Sequence, residues 1–310
     1  MVDMDWHGKR YYSFDSFLKN RFGEKIYKVS LDGGFTCPNR DGTIGTGGCI
    51  FCSEGGSGDF ASDARLSVSD QITQGISLVA AKNPSSRYIA YFQAFTNTYA
   101  PVSRLRKLFT EAIEDSRIAA LAIGTRPDCL PDNVLALLKE LNERKPVFVE
   151  LGLQTIHPVT AGLIRRGYPL SCFEEAVRNL SSIGVWTVVH LILGLPGETE
   201  DMMLESVRYL NSLPIHGVKF SMLHILKGTD LADIYREKPF PVFTMESYVN
   251  LILQCIGNLR SDIVIHRLTG DGPKDLLIAP LWSLRKRTVL NNIAHQLKVQ
   301  DIRQGDFLLS

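Results

Sequence analysis

No stretch of this 310-residue chain approaches the roughly 20 uninterrupted apolar residues needed to cross a bilayer, so no membrane span is expected. The N-terminal segment Met1 to His7 is polar and lacks the apolar centre of a secretory signal, which places the expected location in the cytoplasm. Charge of one sign is missing as well. With 34 Lys and Arg against 33 Asp and Glu, the formal net charge is +1, and any contact with nucleic acid must come from a local patch rather than from an overall field. Without a secretory signal the six cysteines do not read as a disulfide framework, and a reducing compartment is the better expectation. Repeats, low-complexity tracts and linker-like segments are absent, while a hydrophobic content of 45% excludes disordered and fibrous classes.

Between Glu24 and Ser221, short β-branched apolar runs alternate with amphipathic helical stretches, the pattern of repeated βα units around a parallel sheet. Strands are expected at Ile26 to Leu31, Tyr88 to Phe92, Ile118 to Gly124, Val147 to Leu151, Val185 to Leu193 and Val218 to Met222. Helices are expected between them, for example Val68 to Ala81 with apolar Ile72, Ile76 and Val79, and Asn133 to Leu141 after the start signals Pro131 and Asp132. Six such units can close into an open-sided barrel with its functional groups on the loops after the strands; an open doubly wound sheet is the alternative. From about Phe240 the rhythm changes. A helix from Thr244 to Arg260, a strand from Ile263 to His266 and a final helix from Trp282 to Leu297 make residues 241–310 an α/β extension packed on a core of residues 1–240.

Directly after the first expected strand, one Gly-rich loop carries Cys37, Cys49 and Cys52. A structural zinc site closes on four ligands, and no second Cys or His pair lies at a matching distance. A cubane cluster on three thiolates instead leaves one iron free for an outside ligand. Glycines at 42, 45, 47 and 48 let the loop wrap a compact inorganic body and offer it backbone N–H groups. Phe51, just before the last Cys, is placed to stack on a nucleoside lying against that iron. Zinc and unligated thiols are the alternatives. Cys129, Cys172 and Cys255 stand alone in apolar or loop-like contexts and are assigned no role.

The Cys-x11-Cys-x2-Cys loop with its aromatic resembles the cluster loop of radical S-adenosylmethionine (SAM) enzymes. The usual spacing in that superfamily has three residues between the first two cysteines. The long insertion here is similar to the Elp3-like branch, and Leu31-Asp-Gly-Gly-Phe-Thr-Cys-Pro-Asn-Arg-Asp-Gly resembles the YhcC/YtqA group over nearly the whole chain. The resemblance implies a partial (β/α)6 TIM-like barrel with a C-terminal extension, a [4Fe-4S] cluster on Cys37, Cys49 and Cys52, and SAM as second cofactor. It also implies an electron donor such as flavodoxin or ferredoxin, and reductive cleavage of SAM to a 5'-deoxyadenosyl radical that takes hydrogen from a substrate carbon.

The resemblance also suggests where SAM would lie. The loop after the second strand carries Gln93, Thr96 and Asn97 where the superfamily binds the SAM ammonium, although the common Gly-Gly-Glu form is missing and a plain polar loop is the alternative. The turn Gly124-Thr-Arg-Pro-Asp128 offers Arg126 as a carboxylate clamp, or as a salt bridge to a nearby acid. Val149-Glu-Leu-Gly-Leu-Gln-Thr155 resembles a family motif in which Glu and Gln face the cofactor, making Glu150 and Gln154 the expected contacts; an unpaired Glu within an apolar strand would be costly to bury. The Gly-Leu-Pro-Gly turn brings Gly194 close to a ligand, with Glu198 or Thr199 capping the next helix. His190 points into the barrel or serves as a hydrogen-bonded core residue.

The substrate is the least legible part. Arg267 to Lys274 and Trp282 to Arg287 put basic and aromatic side chains near one another, either as an RNA-binding surface or as a solvated face. The resemblance implies tRNA as substrate, with conversion of a wobble-uridine 5-carboxymethylaminomethyl side chain toward 5-aminomethyl. A small-metabolite or tetrapyrrole-like substrate and a non-catalytic metal-binding scaffold are the other readings.

Overall fold

The structure, a computed structural model, describes residues 6–56, 58, 61–80 and 86–308. Helix α1 (Phe14–Phe22) precedes β1 (Tyr27–Leu31), followed by α2 (Val68–Ala80), β2 (Tyr88–Phe92), α3 (Val102–Glu114), β3 (Ile118–Thr125), α4 (Asp132–Arg144) and β4 (Val147–Gln154). Helices α5 (Pro158–Leu163) and α6 (Leu170–Ser182) lead into β5 (Trp186–Leu193), and α7 (Glu200–Leu210) leads into β6 (Gly217–Met222). Then come β7 (Ile225–Leu226), α8 (Asp230–Glu237), α9 (Met245–Gly257), β8 (Val264–Arg267), β9 (Leu277–Ala279) and α10 (Lys286–Val299). Residue Ala81, the expected end of α2, lies outside the described residues. No helix among the described residues is long and apolar enough to cross a membrane.

Seven strands pair in parallel in the order β1-β2-β3-β4-β5-β6-β8, and the sheet curls into a partial barrel. The six expected strands are all present, and the seventh comes from the tail. Helix α9 supplies the crossover that lets β8 pair with β6, so the tail shares its sheet with the core. The final helix differs from expectation. A short 3-10 turn at Leu281–Leu284 is separated from α10 by Arg285 with φ −91° and ψ 50°, because the Trp282 indole N–H is committed to the Phe243 carbonyl at 2.8 Å.

Along each strand the outward side chains are apolar and join the layer under the helices, for example Val149 and Leu151 on β4, and Val218 and Phe220 on β6. The inward residues change character from one end of the barrel to the other. Toward the strand N-termini Ile89, Ala120, Phe148 and Val188 form a packed floor, closed by α1 through Phe17 and flanked by Phe14 and Trp186. Helix α1 is set by its Ser13 cap, whose hydroxyl accepts from Ser16 N–H, and by Gly23 at φ 77°, a conformation glycine takes without strain. One residue pair further up, the interior turns polar with Tyr91, Glu150, His190 and Lys219, and Lys28, level with Ile89, reaches up to Glu150. Fully burying each large apolar side chain of the floor contributes about 1.5 to 3 kcal/mol, which offsets the burial of the polar layer above it.

Candidate active site

The long loop between β1 and α2 is held by its own backbone turns and by three side chains. Cys37 carbonyl accepts from Arg40 N–H at 2.8 Å, and Gly48 N–H donates to the Asn39 carbonyl at 2.7 Å. Arg40 donates to the carbonyls of Cys52 (3.1 Å) and Ser53 (2.5 Å). Asn39 Nδ2 donates to the Arg165 carbonyl at 2.7 Å and lies 3.6 Å from Cys49 Sγ. Ile50 is buried in a third apolar cluster with Ile164, Leu195, Leu223 and Leu231 and pins the loop over the strand ends. Gly48, at φ 73°, allows Arg40 to lie against the loop, since a Cβ there would stand 2.9 Å from the guanidinium.

Cys37, Cys49 and Cys52 line one cavity of about 490 Å³ at the C-terminal end of the barrel strands. The same cavity is lined by Phe51, Gln93, Thr96, Arg126, Glu150, Gln154 and His190. Asn97 and Gly194 are not on its wall: the Asn97 amide donates to the Gly124 carbonyl at 2.8 Å, and Gly194, at φ 89°, faces Phe243. Among the described residues no three Cys, His, Asp or Glu side chains are already gathered as a metal-ligand set. Cys49 and Cys52 are nonetheless paired; their mutual hydrogen bond, together with burial, raises the Cys49 thiol well above its ordinary pKa, so a metal taken up there must displace that proton. Two further features mark the cavity as built for a ligand. Gln154 Oε1 is buried without a hydrogen-bond partner, and Phe95 and Gln154 on its wall hold φ of 59° and 65°, left-handed conformations costing about 1 to 3 kcal/mol each in a non-glycine residue. The donor set therefore fits a cluster with an open corner and a polar ligand beside it.

Several expected contacts have other occupations. Arg126 forks onto Asp128 at 2.9 and 2.7 Å and lies 4.9 Å from the Tyr168 ring, so it forms the local salt bridge rather than an empty clamp. Thr199 rather than Glu198 caps α7. Glu150 is fully shielded, and its oxygens are taken up by the protein. Lys28 donates to Oε1 at 2.5 Å, while Tyr91 (2.6 Å), His190 (2.9 Å) and Lys219 all reach Oε2. Burial alone would raise its pKa, but Lys219 and Lys28 outweigh that and hold the carboxyl well below its ordinary range. Burial likewise pushes Lys219 well below the usual lysine value. Lys28, Tyr91 and Lys219 went unremarked in the sequence; the signal available was period-two alternation, which puts Lys219 on the face opposite Val218 and Phe220. Trp282, in the stretch read as an RNA-binding surface or a solvated face, packs its ring against Tyr248 at 5.7 Å.

Burial pushes His190, His216 and His224 down to about 4. Their folded values thus lie below the unfolded one of about 6.5, and the unfolded chain binds more protons in between. The stability they contribute is complete above about pH 6.5 and is lost as pH falls toward about 4. At about pH 5.5 the expected loss is about 1.4 kcal/mol per histidine. Urea unfolding at about pH 7.5 and about pH 5.5 checks this, and an unchanged midpoint would contradict it.

A curled parallel sheet with a three-cysteine loop at its C-terminal rim defines a class of enzyme, and the comparisons agree. The chain belongs to the radical SAM superfamily, whose model matches residues 40–210, and the radical SAM C-terminal domain model matches residues 215–299. It is a radical SAM enzyme. It is 43% identical to the uncharacterized protein YtqA of Bacillus subtilis over 96% of this chain and 93% of that protein. The archaeal Elp3 of Methanocaldococcus infernus, solved with an N-terminal deletion, superposes with a TM-score of 0.66 at 16% identity, over 90% of this chain and 64% of that one. A tRNA uridine(34) acetyltransferase of the same archaeon is 24% identical over 52% of this chain and 30% of its own length.

Proposed function

We propose that Cys37, Cys49 and Cys52 hold a [4Fe-4S] cluster whose open corner takes SAM, and that the enzyme acts on tRNA, converting the wobble-uridine 5-carboxymethylaminomethyl side chain toward 5-aminomethyl. The observation that carries this is the meeting of the three-cysteine loop and a cationic interior in one cavity. When bound, the cluster and SAM supply a 5'-deoxyadenosyl radical, delivered after one electron from a donor such as flavodoxin or ferredoxin. The chain's own residues do the rest. Asn39 beside Cys49 Sγ tunes the thiolate, Arg40 fixes the loop, and Phe51 shields the nucleoside. Gln93, Thr96 and Gln154 offer polar contacts to SAM, with the unpartnered Gln154 carbonyl as an acceptor. Tyr168, between the guanidinium groups of Arg126 and Arg166 at 4.9 and 5.0 Å, forms a rigid wall. The tRNA reading draws on the partial likeness to a tRNA uridine(34) acetyltransferase.

Profiling the modified nucleosides of tRNA from a strain lacking the protein tests the substrate. The expected result is accumulation of 5-carboxymethylaminomethyluridine and loss of its 5-aminomethyl descendant; an unchanged profile removes the tRNA assignment and leaves the radical chemistry standing.

A further inference from the structure

The β6–β8 ladder contains a bulge. Val218 pairs with Ile265 and Lys219 with Arg267, so His266 is the extra residue. In a regular ladder His266 and Arg267 would point to opposite faces; the bulge turns both inward and sets Arg267 directly across from Lys219. His266 packs into the floor beside Phe14 at 4.0 Å. Arg267 lines the cavity that holds the three cysteines. It also lines a second cavity of about 510 Å³, which lies along the seam between β1 and β8, the two end strands of the sheet. The two cavities share Ser30, Tyr91, Gln93, Lys219 and Arg267. The seam is basic, with Lys9, Lys25, Lys28 and Lys286 alongside Lys219 and Arg267; Asp15 pairs with Lys9, and Asp271, on the wall of the first cavity, pairs with Lys286 at 2.5 Å.

Charge does not balance where the cavities meet. Glu150 is the buried carboxylate there, and Lys28, Lys219, Tyr91 and His190 already occupy it. Among the described residues the Arg267 guanidinium makes no ion pair and no hydrogen bond. Whether or not Lys219 carries its proton, Arg267 remains an uncompensated cation at the edge of a buried polar cluster. Such a cation, with fork geometry and a lysine across the ladder, matches a carboxylate.

We infer that Arg267 and Lys219 form an anion subsite that binds the carboxylate of the substrate's carboxymethylamino group at the junction of the two cavities. This rests on the tRNA reading above. Neither the cysteine loop nor the cofactor contacts require it, and a product lacking the carboxylate would lose this contact.

The test measures binding without turnover, using the reconstituted holoenzyme in the absence of reductant. Anticodon hairpins carry 5-carboxymethylaminomethyluridine or 5-aminomethyluridine at the wobble position, and N-methylglycine serves as the small probe. The wild type is expected to prefer the carboxymethyl hairpin by about tenfold to a hundredfold, the size of one charge-assisted contact. Arg267→Gln is expected to bring that ratio to about one without weakening the aminomethyl hairpin, and Arg267→Lys to restore part of it. Equal weakening of both hairpins in Arg267→Gln would make Arg267 a phosphate contact and overturn the subsite, with the tRNA reading intact. If no hairpin binds but N-methylglycine does, and Arg267→Gln abolishes that binding, the anion subsite stands and the tRNA reading falls. Displacement of N-methylglycine by SAM, together with loss of SAM affinity in Arg267→Gln, would assign the site to the cofactor and overturn the proposal.

Discussion

Cys49→Ser and Cys52→Ser each leave a folded protein that takes up almost no iron and forms 5'-deoxyadenosine at under about one per cent of the wild-type rate, a loss of more than about 2.7 kcal/mol in transition-state terms. The reason is stoichiometric. Three thiolates are the fewest that hold a four-iron cube while leaving one corner open, and a serine oxygen is a poor substitute for a soft thiolate ligand. The fold survives because the loop does not depend on these sulfurs. Arg40 and Asn39 bind its backbone and Ile50 anchors it in an apolar cluster, whereas the thiols face the cavity. Cys172→Ser, on the half-buried face of α6, is the control and should change neither iron content nor activity. Iron and sulfide analysis after anaerobic reconstitution, with product chromatography, reads the result. Retention of four irons by Cys49→Ser, or a tetrahedral zinc in the wild type, would refute the cluster assignment.

The strands were legible because a parallel sheet covered on its outer face demands apolar runs of a definite length, and β2 and β3 supply little else. The cysteine loop was legible because metal chemistry needs particular residues at close spacing. What the sequence concealed were features made by long-range pairing. Lys219 reaches Glu150 across 69 positions, and Lys28 reaches it across 122. No local pattern announces such a meeting, although each residue sits at the inward phase of its strand. Arg267 was misplaced for a related reason. A basic residue late in the chain reads as surface, and only the bulge at His266, invisible without the partner strand, turns it inward. Arg126 shows the opposite limit: its partner Asp128 stands two residues away, and the local pairing weighed for it is the one the structure displays.

Glu150→Gln should destabilise the protein by about 3 to 5 kcal/mol near neutral pH, the cost of leaving buried cations without their counter-charge. The substitution keeps the shape of the side chain, so lost packing contributes little. The pH dependence separates this explanation from a merely broken hydrogen bond. Burial already lowers Lys219 well below the ordinary lysine value, and removing the carboxylate lowers it further. A lysine whose folded pKa lies below its unfolded value of about 10.4 is bound by fewer protons in the folded state, so stability rises with pH through that window. The gap between Glu150→Gln and wild type is therefore widest at low pH and narrows as pH climbs through the folded pKa of Lys219. Adding Lys219→Met should recover part of the loss, since the double variant buries neither charge; the excess over additivity measures the coupling. Urea unfolding from about pH 6 to about pH 10 provides the numbers. A gap that stays constant with pH would show that Glu150 acts as a hydrogen-bond acceptor alone, and Lys219 would then lose its electrostatic anchor beside Arg267.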